Sequence, residues 1–149
     1  MIVTIPPVTI ISVGKIKDPH YSALVRLYSN RLKHTTKITV KEITDRNPET
    51  EGKQICALLG KMNGYSYALS EEGRICTSRA FASSLAKKIK PIVFIIGGPS
   101  GLSDPVKQKA DELLSLSRLT FTHEMAQVLL FEQLYRACSI LNHRAYHKE

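Results

Sequence analysis

The run Ile92-Val93-Phe94-Ile95-Ile96 passes without a polar break into Gly97-Gly98-Pro99-Ser100-Gly101. Five consecutive apolar residues leave no solvent-facing alternation, so the segment reads as a strand buried on both faces, as in a parallel sheet. Open parallel sheets bind ligands just beyond the carboxyl ends of their strands. Glycines there let a ligand approach the backbone where a β-carbon would block it. The turn after this strand is therefore the first candidate site, and Gly98→Val is expected to clash with whatever fills it.

Other segments supply the neighbours such a strand needs. Residues 8–14 read as a first buried strand, closed by Gly14. Asp18-Pro19 opens a helix in which Tyr21, Leu24, Val25, Tyr28 and Leu32 form one apolar stripe, opposite Arg26, Arg31 and Lys33. Residues 37–43 alternate like a half-exposed strand with Ile38, Val40 and Ile43 inward, and polar residues 44–53 read as a loop. A helix over 54–62, a strand over 65–69 and a loop over 70–73 follow. Thr77 or Ser78 caps a helix with Phe81, Ala82, Leu85, Ala86 and Ile89 on one face, and Lys87, Lys88 and Lys90 favour its negative end. Pro105 starts a helix that buries Val106, Ala110, Leu113 and Leu114. Residues 119–122 read as a last short strand before a helix over 124–141. Apolar residues cover more than one face of that helix, so it is expected to bury two sides and to supply a subunit interface. Alternating helices and buried parallel strands give one α/β domain over residues 1–149.

Charge and missing motifs narrow the function. Lysine and arginine number 21 against 13 acids, a net charge of +8, which favours polyanions and nucleic acid above all. No apolar run approaches the roughly 20 residues that span a bilayer, and residues 1–7 lack signal-peptide features. Cys56, Cys76 and Cys138 are far apart and form no CxxC pair, as expected of a reduced, cytoplasmic protein without membrane contact. Neither the GxxxxGK[ST] phosphate loop nor the GxGxxG dinucleotide fingerprint is present. The glycine-rich turn is then either a tight strand-to-helix connection or a backbone-lined ligand slot. Two glycines, a proline and a third glycine favour the slot.

Histidines offer less. His143 and His147 are four apart and could share a helix face as metal ligands do, yet no carboxylate or cysteine completes a site, so no metal is expected. His123 reads as a packing or capping residue of the last helix. The final residues, His143-Arg144-Ala145-Tyr146-His147-Lys148-Glu149, mix cations with an aromatic ring. They are either a solvated basic tail or an RNA contact in which cations meet phosphates and a ring stacks on an exposed base.

Taken together, these stretches resemble a known family. Val13-Gly14-Lys15, Ile95-Ile96-Gly97-Gly98-Pro99-Ser100-Gly101-Leu102, Ser115-Leu116-Ser117, Leu119-Thr120-Phe121, His123, Glu132-Gln133-Leu134-Tyr135-Arg136-Ala137 and Tyr146-His147-Lys148-Glu149 are similar to the ribosomal RNA large subunit methyltransferase H family of SPOUT-class methyltransferases. The resemblance runs nearly end to end. It implies the SPOUT fold with a trefoil knot in the carboxyl-terminal half and S-adenosylmethionine as methyl donor. It also implies a homodimer and a substrate of 23S ribosomal RNA in the ribosome, methylated at N3 of a pseudouridine. By motif position, Leu69, Gly98, Ser117, Arg118, Leu119, Thr120, Phe121 and Thr122 would form the donor pocket. The chain departs from the family pattern in two places. Gln127 stands where relatives commonly carry arginine, and Arg144-Ala145 replaces the His-Pro that commonly precedes Tyr146-His147.

Methyl transfer from a sulfonium is an in-line displacement that depends on positioning, and an acceptor N3–H must lose its proton. The candidates are His147 as base or base-positioning group, Tyr146 as stacking partner, and Arg136 as the cation that stabilises the anion or binds phosphate. In a dimer, one subunit's tail would reach the other's donor pocket. Two rival readings share the same surface. A non-enzymatic ribosome-binding or assembly factor would bind RNA without transferring methyl groups, and a small-molecule nucleotide enzyme would ignore RNA.

Overall fold

In strand β4 (Ile92–Ile96) every residue is buried, and alternate side chains feed opposite sides of the sheet. Ile92, Phe94 and Ile96 join one core, and Val93 and Ile95 join the other. Strand β1 (Val8–Val13) divides in the same way, Val8 and Ile10 against Ile11 and Val13. A computed structural model of the protein, which describes Met1–Glu149, places these two strands side by side at the centre of a five-stranded sheet. With β2 (Ile38–Ile43), β3 (Tyr65–Arg74) and β5 (Glu112–Leu114), the order is β2-β1-β4-β3-β5, and every pairing is parallel.

Parallel neighbours need crossover connections, and helices supply most of them. α1 (Pro19–Leu32), α3 (Ser78–Ala86) and α5 (His123–Leu141) cover one face. α2 (Pro48–Lys61) and α4 (Asp104–Lys109) cover the other, through Ile55 and Val106. In the larger core Phe94 stacks on Tyr67 with ring centroids 5.0 Å apart, and Phe81 tilts against it at 6.1 Å. Burial pushes the Tyr67 hydroxyl up to about 12.

Several expectations need correction, each for a local reason. Residues 48–53 are helical, not loop. Asn47 caps α2 by accepting from Thr50 N at 2.8 Å, and Pro48 takes the first turn, where its missing N–H costs nothing. The buried Glu51 carboxylate accepts from Arg46 N. Strand β3 runs through residues 70–73 to Arg74, with a register shift against β5 after Leu69 that arches the chain outward. The α4 helix stops at Lys109. Beyond it Asp111 accepts from Ser66 N at 2.7 Å and donates its own N–H to Ser66 Oγ at 3.0 Å. Leu113 and Leu114 then pair with Ala68 and Leu69 as strand β5, so tertiary pairing overrides their helical spacing. Residues 119–122 form no strand.

Some expected core positions lie outside the core. Leu24 and Val40 are exposed, and so is Ile89, which lies beyond the end of α3. Arg31 is not simply solvated; its guanidinium sits over the Tyr28 and Tyr135 rings. The breadth of α5's apolar surface has an internal cause. α5 lies between α1 and α3 as well as on the sheet, and Leu130, Phe131, Leu134, Ala137 and Cys138 are buried within the chain. Its width is therefore no argument for a subunit interface.

Candidate active site

The carboxyl ends of β1, β4 and β3 open toward the glycine-rich turn. Gly101 N donates to Gly98 O at 2.9 Å, with Pro99 and Ser100 at the corners, and Gly101 takes φ +79°, a left-handed conformation that favours glycine. Gly97 is pressed against the same turn: a β-carbon there would lie 2.9 Å from the Gly101 carbonyl carbon. A β-carbon on Gly98 would lie 3.0 Å from Val13 Cγ1 and 3.4 Å from Asp45 Oδ1. The three glycines are thus accounted for by the turn and by β1. A valine at Gly98 would strike Val13 and Asp45 behind the turn, which corrects the expected clash with a ligand.

A cleft lies in front of the turn. Its volume is about 310 Å³, bounded by residues 97–102, by the β3 arch and by residues 116–121. That lies within the roughly 300–1,000 Å³ of small-ligand sites and at the strand ends where open sheets hold them. Leu69, Ile96, Leu102 and Leu116 give it apolar walls, and Ser117, Thr120, Glu71 and His123 bring polar groups. Leu119 and Phe121 line it while staying 72% and 36% exposed, so its mouth presents unpartnered apolar surface. Two ties hold the arch in place. Arg118 Nη1 donates to the Glu71 carbonyl at 3.2 Å, and Lys107 Nζ donates to Glu72 Oε1 at 2.5 Å. The Lys107 ammonium holds the Glu72 carboxyl below the usual range.

Of the eight residues expected around a donor, Leu69, Gly98, Ser117, Leu119, Thr120 and Phe121 line the cleft. Arg118 and Thr122 are not among the lining residues. The Arg118 side chain reaches the arch, and Thr122 Oγ1 caps α5 by accepting from Met125 N at 3.2 Å. His123 is therefore not the cap; it opens the helix and is one of the residues lining the cleft. Sequence reasoning missed Leu102, Leu116 and His123 as lining residues. The available signal was position, since each belongs to a stretch already singled out for the resemblance.

The carboxyl-terminal residues gather elsewhere. α5 ends at Leu141, and His143 at φ 55° turns the chain back, so His143 and His147 do not share a helix face. Tyr146 lies edge-on to Tyr135, with centroids 4.7 Å apart and the Arg136 guanidinium over its ring. Its hydroxyl donates to Glu132 Oε1 at 2.9 Å and lies 3.3 Å from the Tyr28 hydroxyl. Burial pushes that hydroxyl well above the usual phenol range, so it remains a donor. Arg136 pairs with Glu132, which raises its already high affinity for its proton, and Arg136 Nη1 donates to His147 Nδ1 at 3.1 Å. A guanidinium can only donate, so His147 Nδ1 is the acceptor and a neutral ring carries its proton on Nε2. Arg136 lies thirteen residues past His123, ~20 Å along α5 at about 1.5 Å per residue. The structure brings His147, Tyr146 and Arg136 together, away from the cleft of their own chain.

A family model described as "Predicted SPOUT methyltransferase" matches residues 7–147 of this chain. The chain belongs to the SPOUT methyltransferase family. Relatives agree along nearly the whole length. Ribosomal RNA large subunit methyltransferase H of Acholeplasma laidlawii is 41% identical over 149 residues, covering 95% of this chain and 99% of its own. The protein of the same name from Shouchella clausii is 40% identical over 158 residues, with the same coverage. Among solved structures, TrmJ from Z. mobilis superposes with a TM-score of 0.55 at 10% identity, covering 90% of this chain and 70% of its own, a likeness of fold. The departures in this SPOUT chain have local explanations. Gln127 is buried, where an arginine would bring a charge that needs pairing. The tail docks through Tyr146 and His147 although Ala145 stands in place of proline.

Proposed function

We propose that this SPOUT methyltransferase uses S-adenosylmethionine to methylate N3 of a pseudouridine in 23S ribosomal RNA on the ribosome, acting as a cytoplasmic homodimer. The observation that carries the reading is the cleft at the strand ends, lined by six of the eight residues expected around the donor. The names of the full-length relatives and the net charge of +8 support a ribosomal RNA substrate. The trefoil knot belongs to the same reading.

The residues present fit the donor. Leu69, Leu102, Leu116 and Leu119 offer apolar walls to a flat heterocycle, and Ser117, Thr120 and the turn backbone offer hydrogen-bonding groups. The missing β-carbon of Gly101 faces open space, with no atom within 4 Å. When bound, S-adenosylmethionine supplies a methyl group activated by sulfonium. The chain must hold the acceptor base in line with that methyl and stabilise the charge that develops at N3. Arg136 and the Nε2–H of His147 are donors suited to the second task. Tyr146, held by Tyr135 and Glu132, braces them. With ~20 Å of α5 separating them from their own cleft, they serve the cleft of a second copy.

Radiolabelled methyl transfer to ribosomes tests this reading. The expected result is label in 23S RNA that digests to a single methylated pseudouridine. Ribosome binding without incorporation would establish the assembly-factor reading, and donor turnover indifferent to RNA would establish the small-molecule one.

A further inference from the structure

We infer that His123 takes the N3 proton of the acceptor base. The inference rests on the methyl-transfer reading above and adds the residue that makes the nitrogen a nucleophile.

Three observations converge on this side chain. His123 lines the donor cleft, whereas His147 lies with the tail cluster. The His123 imidazole makes no hydrogen bond within the chain; its Nε2 edge faces Gly14, where a β-carbon would lie 3.3 Å away. One ring nitrogen of neutral imidazole always keeps a free lone pair, and nothing in the protein occupies it here. His147 differs in this respect, because Arg136 already fills its Nδ1 lone pair and its proton is confined to Nε2. The tail histidine is thus arranged to donate, and the cleft histidine is free to accept.

The surroundings suit that role. The loop after β1 passes close only because residue 14 is a glycine at φ +84°, and the Asp45 side chain flanks the same glycine, 3.8 Å from where a β-carbon would stand. Glu124, the next residue on α5, is committed elsewhere: its Oε1 accepts from Lys17 N and Asp18 N. That clamp fixes the first turn of α5 against the β1 loop and so positions His123. Glu71 is the other titratable group lining the cleft, and the loop that brings Gly14 to His123 carries the cations Lys15 and Lys17. Imidazole is the side chain best matched to proton abstraction near neutral pH.

The step balances. The N3–H bond breaks, and the proton passes to the free imidazole nitrogen of His123, giving imidazolium. The N3 electron pair forms a bond to the methyl carbon as the carbon–sulfur bond breaks, and that bond's electrons neutralise the sulfonium. His123 later returns the proton to water.

Single-turnover methylation of ribosomes by the full-length protein is the test, with S-adenosylmethionine affinity measured by calorimetry on the same samples. His123→Ala and the shape-conserving His123→Asn are both expected to keep donor affinity within about threefold. Their rates should fall by about 100-fold or more, the range general base catalysis supplies. The wild-type pH–rate profile should rise along a limb that both variants lose, their rates instead climbing with hydroxide into the alkaline range. Rates within threefold of wild type overturn the assignment, and so does a slower rate with the limb intact. A wild-type protein that transfers no methyl group overturns the methyl-transfer reading itself, an outcome separate from the other two.

Discussion

Calorimetry on a Gly97→Val variant is expected to show at least a hundredfold loss of affinity for S-adenosylmethionine, together with a lower melting temperature. The β-carbon alone would sit 2.9 Å from the Gly101 carbonyl carbon, 3.0 Å from its oxygen and 3.1 Å from Leu102 Cδ2. Two of those atoms are backbone, so no side-chain rotation relieves the clash and the turn must open. Gly101 and Leu102 both line the cleft, so opening the turn dismantles the wall that would face the donor. A hundredfold loss corresponds to about 2.8 kcal/mol, and forcing bulk into packed surroundings costs roughly 1–3 kcal/mol. Gly101→Ala is the informative contrast. It meets no protein atom within 4 Å and is strained only by its φ of +79°, so its loss of melting temperature should be well under that of Gly97→Val. Equal losses in the two variants would mean that space in the turn is not what matters.

Truncating Glu132 is expected to slow methyl transfer steeply while leaving donor affinity unchanged. Its Oε1 accepts from Arg136 and from the Tyr146 hydroxyl, and its Oε2 accepts from Gln133 Nε2 at 2.9 Å. Hydrogen bonds to a charged group are worth ~1.5–3 kcal/mol each, so Glu132→Ala leaves Arg136 unpaired and Tyr146 without its main anchor. The tail should detach and take His147 with it. Turnover should fall by about 100-fold, whereas calorimetry should give wild-type affinity, because Glu132 is nine residues along α5 from His123, about 14 Å at 1.5 Å per residue. Co-expression supplies a sharper readout. If a tail completes the cleft of the other copy, a Glu132→Ala chain paired with a Gly97→Val chain retains one cleft with an intact tail over it. Mixed dimers should then regain activity that neither variant shows alone. Inactive mixed dimers would place tail and cleft in service of the same chain.

The parallel sheet could be read from sequence because its central strands are almost wholly apolar on both faces. β4 is apolar throughout, and β1 interrupts its apolar run only with Thr9 and Ser12. Edge elements were harder. β5 is three residues long and held by the Asp111–Ser66 exchange, a contact between positions 45 apart that no local pattern reveals. The start of α2 was readable in principle. Asn47-Pro48 carries the same cap-plus-proline signal as Asp18-Pro19, and the polar character of residues 44–53 concealed it.

Of the candidate site, the cleft was foreseen for a reason that only partly holds. The glycines marked the right turn, yet they serve the turn's own closure and its approach to β1, and the space in front of them is shaped by residues 116–121. The tail cluster could not be placed by sequence, because its position depends on the reversal at His143 and on Glu132, whose side chain gathers Arg136 and Tyr146. His123 was underrated for a similar reason. A histidine beside a helix start packs or caps more often than it reacts, and only the fold shows that this one borders the cleft with its ring edge against Gly14 and no hydrogen-bond partner.

Crystals soaked with S-adenosylhomocysteine, the donor stripped of its methyl group, give the decisive observation. The nucleoside is expected between Leu102, Leu116 and Leu119, against the backbone of residues 97–101, with its sulfur on the side of the cleft that His123 lines. Density for it at any other place on the chain, with this cleft filled by protein atoms, would contradict the donor site from which the rest follows.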